Sequence, residues 1–252
     1  MLNENVILAQ NAMIKKTTAA ILYETNSDLV IENLNLAAPG PKEVFVQMGA
    51  AGVCHSDVHV ISGQAQQLMP CVLGHEGAGL VTAIGDQVSR ISVGDHVILS
   101  WLPYCENCYQ CIRGKTHLCK AFQTPVSNGT LLDGSCRFSN KQGPIRQLGS
   151  LGCWSENVVV SEECCVTINR SIPFEIAALL GCAVTTGVGA VLNRAKVQKG
   201  ETVVVIGAGG VGLSVVMAAK LQGASQIICI DRNTSMRNLA IELGATDFLV
   251  AS

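Results

Sequence analysis

Charge is scarce in this chain. Of its 252 residues only 14% are acidic or basic, against about 25% in an average globular domain, so much of the sequence is built for burial. The 17 basic and 19 acidic residues leave a net charge of −2. No basic surplus exists to hold a polyanion, and nucleic acid is excluded as an expected partner. Long uninterrupted apolar runs are also lacking. The most apolar stretch, Thr202–Ala219, is broken by four glycines and closed by Lys220, whereas a membrane-spanning helix needs about 20 apolar residues; no membrane association is expected. Residues Met1–Gln10 carry Glu4 before any apolar run and lack the basic-then-apolar order of a secretory signal. A cytoplasmic protein is therefore expected. There is no internal repeat and no low-complexity tract. A mean hydropathy of +0.36 excludes disorder, and at about 100–200 residues per domain the length suggests two domains.

What the chain has in abundance is cysteine: twelve in all. Without an export signal these point to metal rather than to disulfides. Residues 1–16 read as a loose polar extension, with Met13 as a possible internal start. Short β-type runs follow at Thr18–Tyr23, Leu29–Leu34, Val44–Ala50, Ala78–Ile84 and His96–Ser100, separated by turns such as Pro39-Gly40-Pro41. That spacing predicts an antiparallel, barrel-like domain. Residues 103–153, rich in Cys, Gly, Ser and Asn, read as excursions from its core, and Glu156–Val160 as a returning strand. From Ser171 onward the pattern changes. A helix start at Ser171–Glu175, buried strands at Thr202–Ile206 and Gln226–Ile230, and helices at Val211–Leu221 and Asn233–Leu243 alternate as in a parallel α/β sheet. Phe248–Val250 reads as the opening of a third parallel strand, where a doubly wound sheet of about six strands would be expected to continue.

Three constellations carry chemistry. Gly207-Ala-Gly209-Gly210-Val211-Gly212 follows a strand and opens a helix, with Asp231 at the end of the next strand. The first glycine permits the tight turn, the second lets a pyrophosphate approach the backbone, and the third lets helix pack on sheet; Asp231 is placed to bind ribose hydroxyls. This favours NAD over NADP, a preference that Arg232 would soften. The second constellation is Cys105-x2-Cys108-x2-Cys111-x7-Cys119. Four thiolates make a closed tetrahedral zinc shell, structural rather than catalytic. An iron–sulfur site is the rival, but the fourth spacing does not match those patterns, and His117 within the segment reads as a surface residue. The third set is dispersed: Cys54-His55-Ser56-Asp57-x-His59, Gly74-His75-Glu76 and, far downstream, Cys182. Two thiolates and one imidazole would leave zinc an open fourth position, although each residue alone reads equally well as core.

Gly52–Asp57, Gly74–Gly79, the four-cysteine lobe, Gly181–Gly187 and Gly207–Gly212 occur in order from about residue 17 to the end. Together they resemble the zinc-containing medium-chain alcohol dehydrogenases, in the class III-like and aryl-alcohol-like part of the family. The resemblance implies a GroES-like catalytic domain at 17–180, with a zinc lobe at 103–120, followed by a partial, C-terminally truncated Rossmann domain at 181–252. It implies Cys54, His75 and Cys182 as catalytic zinc ligands, Glu76 as the acid beside them and Asp57 as the carboxylate orienting the histidine. Ser56 and His59 become a proton relay, and His55 meets the pyrophosphate. Thr185 and Val211 flank the nicotinamide, and Trp101 lines the substrate pocket. Two zinc ions and NAD per chain, an alcohol or aldehyde substrate, and, for the full-length protein, a homodimer or homotetramer follow from the same resemblance.

Two departures bear on substrate and coenzyme. The glutathione-dependent branch is expected to show acids after Ser62-Gly63 and an arginine soon after the last lobe cysteine, where this chain has Gln64–Gln67 and Ala121-Phe122-Gln123. Met236 stands where the family places a basic residue near the ribose-binding Asp, with Arg237 adjacent. Primary alcohols thus rank ahead of S-(hydroxymethyl)glutathione, and a non-catalytic zinc-binding fragment is the rival from a different class.

Overall fold

A computed structural model describes residues 15–252. The expected N-terminal extension lies outside them, except that Lys15 and Lys16 already belong to a strand. The chain forms two compact units, one running to Gly181 and the other from Cys182 to Ser252.

The first unit is built on β1 (Lys15–Leu22), β2 (Val30–Leu36), β3 (Glu43–Ala51), α1 (His55–Ile61), β4 (Cys71–Val72), β5 (Gly77–Ile84) and β6 (His96–Leu99). It continues through α2 (Tyr109–Ile112), α3 (Lys120–Asn128), β7 (Phe138–Asn140), β8 (Gly143–Gln147), β9 (Asn157–Ser161), β10 (Cys165–Thr167) and α4 (Phe174–Leu179). Strands β1-β2-β7-β8-β4 close a small barrel, and β10-β6-β5-β3-β9 form a sheet. Strand alternation decides which side faces in: Thr17, Ala19 and Ile21 of β1 point to the core while Thr18 and Ala20 between them stay partly exposed. By contrast Asn157–Ser161 is buried at every position, so β9 is covered on both faces. It pairs antiparallel with β3, Val46 opposite Val158 and Val44 opposite Val160. These branched side chains interdigitate in one apolar cluster with Leu34, Leu36, Leu99, Phe138 and Ile145.

The segment 103–153 is not merely an excursion. Its first half carries α2 and α3, but Phe138–Asn140 and Gly143–Gln147 are barrel strands, and Leu131, Phe138, Ile145 and Leu151 are wholly buried. Pro144 lies within one of these strands although proline cannot donate to a ladder. It is accommodated by pointing out to solvent at the second residue of β8.

The second unit is a three-stranded parallel sheet of β11 (Thr202–Ile206), β12 (Gln226–Asp231) and β13 (Asp247–Val250). Its helices are α5 (Thr185–Gly189), α6 (Gly210–Leu221) and α7 (Arg237–Leu243). One face of the sheet packs Val205, Ile227, Cys229 and Phe248 against Leu213, Val216 and Ala240. The opposite face leaves Val204, Ile206 and Leu249 more than half exposed. The expected helix Asn233–Leu243 starts instead as a 3-10 turn, Thr234–Met236, capped by the Asn233 side chain, and becomes α-helical only at Arg237.

The helical run Phe174–Ala195 is 22 residues long and holds an 18-residue window of mean hydropathy 1.8, enough by length and composition to cross a membrane, a test that the core helix of a soluble protein also passes. Its opening turns are core, with Ala177 and Ala178 buried beside Ala78. Two π-helical stretches, Leu180–Val184 and Ala190–Ala195, interrupt it.

Because Phe138 fills the barrel, Phe138→Ala is expected to cost about 3–5 kcal/mol of stability by urea denaturation of the first unit's transition. A loss well under 1 kcal/mol would return this segment to the status of a surface excursion.

Candidate metal centres and nucleotide-binding turn

The first site is built where β3 ends. Gly52 passes so close to Glu76 that a Cβ would lie 2.1 Å from its carboxylate oxygen, and the Gly52 N–H donates to the Glu76 carbonyl (2.9 Å). Cys54 then caps α1. Three residues on, Asp57 is wholly buried, and a buried carboxylate must find donors. Its Oδ2 accepts the Cys54 N–H (3.0 Å), reaching back over the first turn as a helix-capping acid does. Its Oδ1 accepts the Gly74 N–H (3.1 Å) and lies 3.2 Å from His75 Nδ1. A carboxylate on Nδ1 fixes the proton there and leaves Nε2 as the ligand atom.

One ligand atom each from Cys54, His75 and Glu76 then lie within 4.8 Å of one another. Burial pushes the Cys54 thiol up, but hydrogen bonds from the Ser56 amide and hydroxyl, together with His75, outweigh it and leave the thiol below its usual value. Thiolate, imidazole and carboxylate are donors that zinc accepts. The geometry fits the metal.

Around this set lie both tryptophans. The Trp101 ring stands edge-on to His75, with centroids 6.2 Å apart. Trp101 also borders a cavity of about 330 Å³ whose walls include Leu118, Phe122, Val126, Gln123 and Ser127. Trp154, which no motif singles out, donates its indole N–H to the Gly52 carbonyl (3.0 Å). A half-buried indole N–H still calls for an acceptor, and that is the signal that points to it.

The relay candidates occupy the exposed side of α1. Ser56 Oγ lies 3.7 Å from Cys54 Sγ, within hydrogen-bond reach, while the His59 ring meets the His55 ring at 4.9 Å. Ser56 and His59, three residues apart, share a helix face. No direct hydrogen bond joins them among the described residues.

The four cysteines of the second site converge as the spacing predicted. Cys108 caps α2, Cys111 lies within it, and Cys119 precedes α3. All four sulfurs lie within 4.8 Å of one another. A zinc ion with Zn–S bonds near 2.3 Å holds tetrahedral sulfurs about 3.8 Å apart; Cys108–Cys111 is 3.5 Å and Cys105–Cys111 is 4.0 Å. A polynuclear iron–sulfur cluster would hold them farther apart. Backbone N–H groups of Cys111 and Lys120 pull the Cys108 thiol down to about 6, while burial pushes Cys111 up to about 12. Phe122 and Val126 of α3 support the lobe from one side. His117 is exposed, as expected.

In the second unit, Gly207 turns with φ of 100° and open space lies where side chains of Gly207 and Gly209 would be. Gly212 has no such room: a Cβ would fall 1.8 Å from the Gly207 carbonyl oxygen. Asp231 ends β12 as expected, and both its oxygens are already engaged. Oδ2 accepts the Ala208 N–H (2.6 Å) and Oδ1 the Asn233 N–H (2.7 Å), which together hold its pKa below the usual carboxylate value. Asp231 thus also pins the glycine turn. Arg232 is exposed beside it. Val211 is exposed at the first turn of α6, beside Gly210, while exposed Thr185 donates to the Cys182 carbonyl (3.2 Å). Cys182 is buried in the π-helical stretch at the head of this unit. One residue upstream, Gly181 lies against the Leu99 carbonyl, where a Cβ would come within 2.6 Å.

Every partner of Asp57 is a donor, so Asp57→Asn forces an amide N–H against another donor. A loss of about 1–3 kcal/mol in equilibrium denaturation is expected; an unchanged stability would mean the Asp57 carboxylate does not organise the site.

Residues 40–170 match the alcohol dehydrogenase GroES-like domain. The S-(hydroxymethyl)glutathione dehydrogenase of Saccharomyces cerevisiae is 44% identical over 93% of this chain and 61% of its own length. The alcohol dehydrogenase class-3 of Drosophila melanogaster is 40% identical, over 92% and 61% respectively. Among solved structures, benzyl alcohol dehydrogenase from Acinetobacter calcoaceticus superposes with a TM-score of 0.87 at 34% identity, covering 94% of this chain and 64% of that one. The chain spans about three fifths of the length of these relatives. With the match covering the five-stranded sheet β10-β6-β5-β3-β9, the Asp57-centred site and the cysteine lobe, the chain belongs to the alcohol dehydrogenase GroES-like domain family.

Proposed function

We propose that the protein transfers a hydride between a primary alcohol, or its aldehyde, and NAD, with two zinc ions per chain. Cys54, His75 and Cys182 hold the catalytic ion, and Cys105, Cys108, Cys111 and Cys119 the structural one. The observation that carries this reading is the Asp57 carboxylate, which places Cys54 and His75 side by side and commits the imidazole to one nitrogen. For Cys182 the support is the family resemblance and the chemistry of a buried thiol.

Zinc bound there supplies Lewis acidity, lowering the pKa of an alcohol brought to it. The chain's own groups do the rest. Ser56 Oγ, beside Cys54, accepts the alcohol proton, and His59 on the same helix face passes it to solvent. Glu76, a buried acid among the ligands, is poised to approach the metal. The turn Gly207–Gly212 offers backbone N–H groups and a helix N-terminus to the pyrophosphate, aided by His55; Thr185 and Val211 face the nicotinamide, and Asp231, with Arg232 beside it, takes the ribose. The cavity next to Trp101 is lined mainly by apolar side chains and neutral amides, with Lys120 and His117 also on its wall, a lining with room for an alcohol body. Assembly as a homodimer or homotetramer rests on the family resemblance alone, and a cytoplasmic location on the sequence expectation above.

S-(Hydroxymethyl)glutathione is the second substrate reading, favoured by relatives such as the yeast protein, which are S-(hydroxymethyl)glutathione dehydrogenases. Gln64–Gln67 and Gln123 in place of charged anchors argue against it. Benzyl alcohol is expected to be turned over with a higher kcat/KM than the glutathione adduct, and the reverse order, measured side by side, would transfer the assignment.

The zinc-loaded protein is expected to hold two zinc ions per chain by elemental analysis. Cys54→Ala should leave one and abolish NAD-linked turnover. A wild-type protein that binds a single zinc ion would make it a zinc-binding module without this chemistry.

A further inference from the structure

Cys54 and His75 arrive on separate segments, and their separation must be fixed before any metal binds. Asp57 bridges the two from one side, and the Gly52 N–H to Glu76 bond ties the strands behind them. A third segment completes the frame. The Trp154 N–H donates to the Leu73 carbonyl (2.9 Å), and the neighbouring Cys153 N–H donates to that of Gly74 (2.9 Å). The Trp154 ring lies so tightly on Gly74 that a Cβ there would come within 2.4 Å of Cδ1. Its indole N–H reaches across to the Gly52 carbonyl (3.0 Å). The Trp154 carbonyl accepts the Ala20 N–H (2.8 Å), so the residue is itself anchored to β1.

We propose that Trp154 is a positioning residue for the Cys54–His75 metal centre: it spans the Cys54-bearing and His75-bearing segments, one through its N–H and the other through its ring. This rests on the metal-site reading under Proposed function. An aromatic ring alone would cover Gly74; only an indole also holds the Gly52 carbonyl. The hydrogen bond therefore serves the spacing of the ligands, while the ring serves packing. Partners outside the ligand shell commonly set metal affinity by 10–100-fold, and Trp154 acts one bond further out, so the lower end applies.

The test is Trp154→Phe, which keeps the ring and removes the donor, in the full zinc-loaded protein. Expected is about tenfold weaker retention of one zinc ion against a competing chelator, with the four-cysteine ion unchanged. The cobalt-substituted protein should show shifted thiolate charge-transfer and d–d bands. Identical retention and an identical cobalt spectrum would overturn the proposal. So would equal weakening of both ions, which marks a general loss of stability. As a second measurement, chelating the more labile ion in wild-type protein should move the Trp154 indole N–H resonance, assigned with Trp101→Phe; an unmoved resonance overturns the proposal. Wild-type protein that binds only one zinc ion would defeat the metal-site reading itself, an outcome distinct from the others.

Discussion

Burying a carboxylate costs several kcal/mol unless donors meet it, and Asp57 meets three of them at once. This is the constraint on which the first site depends. The acid sits in the first turn of α1, so its bond to the Cys54 N–H also starts that helix. Its other oxygen is claimed by the Gly74 amide and by His75. One charged group therefore sets where α1 begins, how the chain leaves Leu73, and which nitrogen of His75 is left for a metal. The glycines around it follow from the same crowding: Gly52 clears the Glu76 carboxylate and Gly74 clears the Trp154 ring.

The second unit repeats the logic with a different acid. Asp231 takes the Ala208 and Asn233 amides with separate oxygens, so the turn that offers its N–H groups outward is braced from the strand beside it. Each oxygen of a carboxylate has a second lone pair, so bracing the turn and meeting a ribose are compatible tasks.

The features legible in the sequence were those written in short spans. Cys105–Cys119 and Gly207–Gly212 declare their chemistry by spacing, and the apolar runs Thr202–Ile206 and Val44–Ala50 declare strands by composition, although the burial expected of Thr202–Ile206 is met only at Val205, because one face of that sheet stays exposed. What the residues hid was non-local or atypical. Phe138–Asn140 and Gly143–Gln147 are too short, and too broken by Gly143 and Pro144, to look like strands, yet they close the barrel because Leu36 and Val72 need partners. The π-helical turns at Leu180–Val184 are set by context rather than propensity. Trp154 is one aromatic residue with no periodicity to betray it; its importance comes from two segments that precede it by eighty residues or more.

Chain entropy gives the cysteine lobe a further meaning. Strand β3 must find β9 across more than a hundred residues, Gln47 against Asn157, and such distant pairings are slow because loop closure precedes any reward. The four thiols, in contrast, lie within one short local stretch on the path from β6 to β7. A metal clip there would fold with the segment it joins and would shorten the free loop that separates Leu99 from Phe138. The lobe would then act on the order of folding as much as on the finished architecture, drawing the last barrel strands toward the first.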